Sequence, residues 1–360
     1  MVENRSKWLY PSGQLSTKIG IELARNGVII SLSTNASIQL KRGYTIALIC
    51  AAVLSLTAIF IRYLTETYHL PPLVLAFWRD SFVALTLLLV LASPRIHLLP
   101  VSRQHLRYLV VYGLVLAVFN SFWTLSVALN GAAISTVLVY CSAAFTALLG
   151  RWLLHEHLDG AKLLVIALTL VGCVLVSGAM KASAWQSNLP GILTGIFSGL
   201  SYAAYSLMGR SASQRGLNPW TTLFYTFAFA AVFLLAANLL VGPWLPGAAS
   251  RPADFFWLGR AWAGWGILFL LAAGPTLLGF GLYNVSLVYL PSSIANLVAT
   301  SEPVFTAIVA YFLLGERLTA LQILGSLLII GGVCLLWLYE GWRADRQRSR
   351  NAQPTLLSVS

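Results

Sequence analysis

The 360-residue chain carries 23 basic and 11 acidic side chains, a formal charge of +12, and is 58% hydrophobic but only 9% charged. Ordinary soluble domains hold about 25% charged residues, so a water-soluble globule is excluded and a membrane protein is indicated. The basic residues sit at the ends of apolar runs rather than in one patch, which argues against nucleic acid and makes the lipid bilayer the partner.

Residues 1–42 contain Arg5, Lys7, Lys18, Arg25, Lys41 and Arg42 and no apolar stretch long enough for a signal-peptide core or a span. They read as a cytoplasmic tail without regular structure. A spanning helix needs about 20 apolar residues, and windows of that kind fall at 43–65, 71–92, 106–128, 132–154 and 160–178. Five more follow at 190–210, 218–241, 262–287, 291–314 and 320–339. The expected organisation is a first repeat over 43–178, a second over 190–339 and a C-terminal cytoplasmic tail over 340–360. The four cysteines, Cys50, Cys141, Cys173 and Cys334, all lie inside apolar runs and behave as small hydrophobes rather than as a disulfide or metal framework.

With the N-terminus inside, only Arg62, Lys181, Arg251, Arg260 and Arg317 fall outside and Arg79 lies within a span, so 17 of the 23 basic residues are cytoplasmic. The positive-inside rule therefore places both termini in the cytoplasm. Shifting the chain by 160 residues aligns 126–176 with 286–336 without a gap, and 13 of the 51 positions are identical. Among them are the ordered pairs Phe145/Phe305, Thr146/Thr306, Ala147/Ala307 and Glu156/Glu316. A shift of 148 pairs Gly43 with Gly191, Arg62 with Arg210 and Pro71 with Pro219; the 12-residue difference falls in the connection 242–261. Each half then holds five helices. Because five is odd, the second half enters from the opposite side, and the halves are related by an axis in the membrane plane, the arrangement used for alternating access. The fold expected is an all-α polytopic membrane protein with ten transmembrane helices in two inverted five-helix repeats.

Leu153-Leu154-His155-Glu156-His157-Leu158 and Leu313-Leu314-Gly315-Glu316-Arg317-Leu318 resemble the Leu-x-Glu-x-Leu signature closing the fourth helix of each EamA repeat. Ser301-Glu302-Pro303-Val304-Phe305 resembles the ninth-helix motif of the same family. On these residues the chain resembles the EamA-type transporters of the drug/metabolite transporter superfamily over about residues 43–340. The resemblance implies a cavity lined by the first, third, fourth, sixth, eighth and ninth helices, with no soluble binding protein or ATPase. It also implies a small-metabolite substrate, with amino acids or related amphipathic compounds favoured, and efflux as the direction. The first repeat departs from the family pattern at His155, where glycine is usual, and has Ser142-Ala143 where the second has Glu302-Pro303.

Glu302 is the most costly acidic residue, since a charge at mid-membrane costs about 2.5 kcal/mol or more. It reads as a proton-coupling or substrate-amine site, against a hydrogen-bonded carboxyl beside the Pro303 kink. Arg79 either pairs across the bundle or anchors a substrate carboxylate; structural pairing is the plainer reading, and the resemblance makes an arginine in this helix a framework feature. Adjacent helical positions point about 100° apart, so Arg79 and Asp80 are not expected to share a partner. Asn120, Trp123, Tyr140, Tyr202, Tyr205, Tyr283, Asn284 and Asn296 supply hydrogen-bonding groups at depth for an amphipathic solute. Trp123 and Tyr283 are repeat equivalents and suit gates above and below a cavity, with interfacial belt residues as the alternative. Gly191, Gly195 and Gly199 form a close-packing face, and Gly274-Pro275 interrupts the eighth helix as a hinge or a static kink. Glu156 and Glu316 read as structural groups at helix ends, capping or pairing locally with His157 or Arg317.

No nucleophile elbow, zinc helix or Walker loop is present. The chain therefore reads as a secondary transporter and not an enzyme, needing no cofactor or metal and acting on a small-molecule substrate in the cell membrane. A lipid-acting membrane enzyme and a non-transporting scaffold are the competing classes, and homo-oligomerisation is left open.

Overall fold

The computed structural model describes residues 29–92, 100–176, 189–244, 247–249, 251–314 and 319–352. The described residues are helical throughout, joined by short turns. The helices are α1 (Ile29–Thr67), α2 (Pro72–Ala92), α3 (Arg103–Tyr140), α4 (Ser142–Leu153), α5 (Gly160–Val176) and α6 (Leu189–Gln214). They continue with α7 (Pro219–Val241), α8 (Trp262–Leu271), α9 (Leu277–Tyr289), α10 (Ser292–Ala299), α11 (Glu302–Leu314) and α12 (Ala320–Ala352). A π-helical turn over Ala272–Thr276 joins α8 to α9 into one span, Trp262–Tyr289. Eight described helices are long and apolar enough to cross a membrane, and the shorter Gly160–Leu175 adds a further apolar helix. In hydrocarbon every backbone group must be answered internally, which is why these runs fold as helices. Local signals set the starts. Ser102 accepts from the His105 N–H ahead of α3, and Asn218 accepts from Trp220 and Thr221 with Pro219 at the first helical position of α7.

Two helices exceed their expected limits. α1 starts at Ile29, inside the segment expected to lack regular structure, and α12 runs to Ala352, past the expected end at 339. Extending an existing helix costs far less than nucleating one, and the stretch 29–42 contains neither proline nor glycine to stop it. Residues 43–340 form one compact unit, and the helical extensions beyond them belong to another. Residues 1–28, together with Glu316 and Arg317, lie outside the described residues.

Helical geometry runs unbroken along α3, yet α3 is not one rod. Nine residues of straight helix would separate Ser126 from Ser135 by about 13.5 Å, whereas their hydroxyls are 2.9 Å apart. The chain folds back between them, giving two spans, Arg103–Asn130 and Ile134–Leu153.

The inversion is visible in contacts between the repeats. Gly43, which opens the first repeat, lies against Leu290, where a Cβ at Gly43 would come within 2.8 Å of Leu290 Cγ. Gly191, which opens the second repeat, accepts from Asn130 Nδ2 at 2.7 Å. These contacts are equivalents under the two sequence shifts, since Gly43 pairs with Gly191 and Asn130 with Leu290. They also lie at opposite ends of the bundle. The span Ile134–Leu153, about 30 Å long, runs from beside Asn130 to Glu156, and Glu156 holds Ser292, next to Leu290. The two repeats therefore begin at opposite ends.

Glycines set the inter-repeat packing. A Cβ on Gly199 would meet the Leu138 and Val139 carbonyls at 3.1 Å, and one on Gly195 would come within 2.4 Å of Leu138 Cδ1. The glycine face of α6 thus seats directly on the fourth span. Glu156 acts across the bundle rather than pairing locally with His157. Its carboxylate accepts from the backbone N–H groups of Ser292 and Ser293 at 2.7 and 3.1 Å and from both hydroxyls at 2.6 Å. It is an N-terminal cap for α10, placed where the helix dipole favours negative charge.

Two stability changes follow. Glu156→Ala removes all four acceptor contacts and should destabilise by about 2–3 kcal/mol, read as a lower unfolding midpoint in detergent. Gly195→Ala must displace Leu138 and should cost about 1–3 kcal/mol, whereas Gly331→Ala, with nothing within 4 Å, should leave the midpoint unchanged.

Candidate functional site

The site grows from two helix breaks at equivalent positions. The fourth span is interrupted at Cys141, between α3 and α4, and the ninth at Thr300 and Ser301, between α10 and α11. Under the 160-residue shift Cys141 corresponds to Ser301. Pro303 has no N–H to continue the ladder, and Val304 bonds back to Ser301. The Thr300 carbonyl is answered instead by the Cys173 thiol at 3.8 Å, while the Ser301 hydroxyl returns to the Val298 carbonyl at 2.7 Å. Interrupted backbone at membrane depth is tolerated where it is buried in protein or lines a cavity. Paired interruptions in the two halves of a transporter mark its binding site.

A cavity of about 40 Å³ lies at these breaks. It has room for water and falls short of the roughly 300 Å³ of a metabolite-sized pocket. Its lining brings together Arg79, Asn120, Trp123, Tyr140, Tyr202 and Glu302 with Leu54, Thr57, Phe119, Val139 and Phe280. Six of the ten residues expected at the site thus share one wall system, contributed by the second, third, fourth, sixth and ninth spans.

Glu302, at the N-terminus of α11, is 8% exposed and accepts from the Tyr140 hydroxyl at 2.5 Å. Tyr140 closes α3 at the other break, so this bond ties the two interruptions together. Arg79 and Asp80, 1% and 0% exposed, pair with each other, Arg79 Nε reaching Asp80 Oδ1 at 3.4 Å. Asp80 Oδ2 in turn accepts from Asn120 Nδ2 at 2.7 Å, a cross-helix link without a local sequence signal.

The other four expected residues stand behind the cavity. Asn296 accepts from Ser142 at 3.0 Å and donates to Ser206 at 3.1 Å, and Ser206 shares a 2.7 Å bond with the Tyr283 hydroxyl. Tyr205 donates to Asn284 Oδ1 at 3.3 Å. Tyr202 links the layers, stacking on Phe119 and Tyr205 and packing against Tyr283. Trp123 and Tyr283 therefore part company as equivalents: Trp123 faces the cavity and Tyr283 packs one layer away. Both are buried within the bundle. Thr57 and the apolar members Leu54, Phe119, Val139 and Phe280 were not anticipated. Their only sequence signal was position on spans expected to line the cavity. Among the described residues no group of three or more His, Cys, Asp or Glu side chains converges as a metal site would require.

Known proteins place this architecture. The profile of the EamA-like transporter family matches residues 41–178 and 189–338. An uncharacterized transporter of Archaeoglobus fulgidus is 28% identical over 62% of this chain and 74% of its own. A probable amino-acid metabolite efflux pump of Escherichia coli is 25% identical over 84% of this chain and 97% of its own, and that of Salmonella typhimurium is 26% identical over 81% and 93%. A solved structure described as a crystal structure of protein shares the fold, with a TM-score of 0.63 at 16% identity over 81% of this chain and 96% of that one. The two-repeat bundle and the match across both repeats make this chain a membrane transporter belonging to the EamA-like transporter family.

Proposed function

We propose that the chain is a secondary exporter of a small metabolite, an amino acid or related amphipathic compound, working by alternating access through the cavity at the two helix breaks. The observation that carries this reading is the cavity itself, whose lining joins buried charged and polar side chains to an apolar wall. Hydrocarbon-embedded charges and interrupted helices are costly, and here Arg79, Glu302 and both breaks converge on one small space. Efflux of amino-acid metabolites is what the names of the Escherichia coli and Salmonella relatives state for those proteins, and it guides the choice of solute here.

In this reading both termini face the cytoplasm of a cell-membrane protein, because that orientation leaves only five basic residues outside. The domain division at 43–178 and 190–339 assigns one inverted bundle to each half. The chemistry is carriage rather than catalysis, with the small molecule as the only substrate. The ten residues divide into two roles. Arg79, Asn120, Trp123, Tyr140, Tyr202 and Glu302 meet the solute, and Tyr205, Tyr283, Asn284 and Asn296 form the hydrogen-bonded layer that supports it. Glu302 takes the coupling role, since it is the one carboxylate among the described lining residues.

Counterflow into liposomes, screened over amino acids and related metabolites with and without an imposed proton gradient, tests the reading. Accumulation of at least one solute is expected, and its absence across the panel would overturn it. Glu302→Gln keeps an acceptor for Tyr140 but holds no exchangeable charge. It should preserve exchange without a gradient while abolishing gradient-driven accumulation, so full retention of coupling would remove Glu302 from that role.

A further inference from the structure

Arg79 carries more hydrogen-bonding capacity than the protein uses. Its Nε is engaged by Asp80, but Nη2 is buried on the cavity wall with no partner. A guanidinium offers five N–H donors in a fixed fork, and an unanswered buried donor on a charged group is among the most costly polar defects. The same wall holds two more unpartnered atoms. Asn120 gives its amide nitrogen to Asp80 and leaves Oδ1 without a donor, and the Thr57 hydroxyl is likewise unpartnered. One cationic donor, one amide acceptor and one hydroxyl, all unpartnered, thus belong to side chains lining a space otherwise walled by Leu54, Phe119, Trp123 and Phe280.

We propose that the cavity recognises the carboxylate of its solute through the Arg79 guanidinium, with the solute's apolar body against the aromatic wall. Asp80 does not satisfy this role itself. It approaches Nε alone, at 3.4 Å, and its second oxygen is taken by Asn120. Its charge partly offsets that of Arg79, so an incoming carboxylate is held without being locked in place. Asn120 Oδ1 and Thr57 then stand beside the carboxylate as acceptors for a neighbouring donor such as an α-ammonium group, and Glu302 disfavours a second negative charge. This assignment rests on the carrier reading and sharpens it, naming monocarboxylates with an apolar body as the solute class.

The test uses purified full-length protein and four matched probes: 4-methylpentanoate, leucine, leucinamide and 3-methylbutylamine. Thermal stabilisation should favour the two carboxylates over the amide and the amine by about tenfold in apparent affinity, the worth of one charge-assisted hydrogen bond. Arg79→Gln alone leaves Asp80 buried and uncompensated, so the decisive variant combines Arg79→Gln with Asp80→Asn, which keeps a neutral network; its preference should fall to within about twofold. Equal stabilisation by leucinamide, failure of every carboxylate to bind, or retained preference in the double variant would each overturn the assignment. Counterflow with the same probes keeps the two readings apart. Transport without carboxylate preference defeats this site and leaves the carrier standing, and no transport of any solute defeats the carrier.

Discussion

Hydrocarbon offers no hydrogen bonds, and from that single constraint the arrangement of this protein follows. A helix can stop halfway across a membrane only where protein or enclosed water answers the exposed backbone. The fourth and ninth spans both slacken into a turn there, at equivalent residues, and the surrounding helices are placed to meet the need. Cys173 answers the Thr300 carbonyl, Tyr140 answers Glu302, and Gly199 lets α6 lie against the carbonyls of Leu138 and Val139. The cavity is what remains between these solutions.

The two halves share a plan but differ in chemistry. Where the second repeat puts Glu302 at its break, the first puts Ser142, whose hydroxyl bonds Asn296 and so reaches into the other half. Where the first repeat places Trp123 on the cavity, the second places Tyr283 in the supporting layer. The acid comes from one repeat and the buried Arg79–Asp80–Asn120 cluster from the other. Such a division gives a symmetric scaffold an asymmetric cavity, whose charges cannot be exchanged by swapping halves.

Much of this was legible in the sequence, for identifiable reasons. Apolar windows near 20 residues mark spans directly, and an odd number of helices in a duplicated unit forces inversion without reference to any side chain. Glu302, Arg79 and Tyr140 stood out because polar groups at mid-span are expensive. Other features were hidden because they depend on partners far away in the chain. Glu156 read as a local surface group, yet its partners lie at Ser292 and Ser293. Asp80 had no visible partner because Asn120 sits on another helix. The breaks at Cys141 and Ser301 are short and sit inside long apolar runs, so they leave little trace in hydropathy averaged over a span, and only Pro303 hinted at one of them.

The cap that Glu156 places on α10 has a consequence for the resting molecule. Four donors from the second repeat close on one carboxylate of the first, so a movement that draws the two apart on this side must give up charge-assisted hydrogen bonds together rather than one at a time. The contact is thus a latch between the halves, fastened by one acid and a pair of serines.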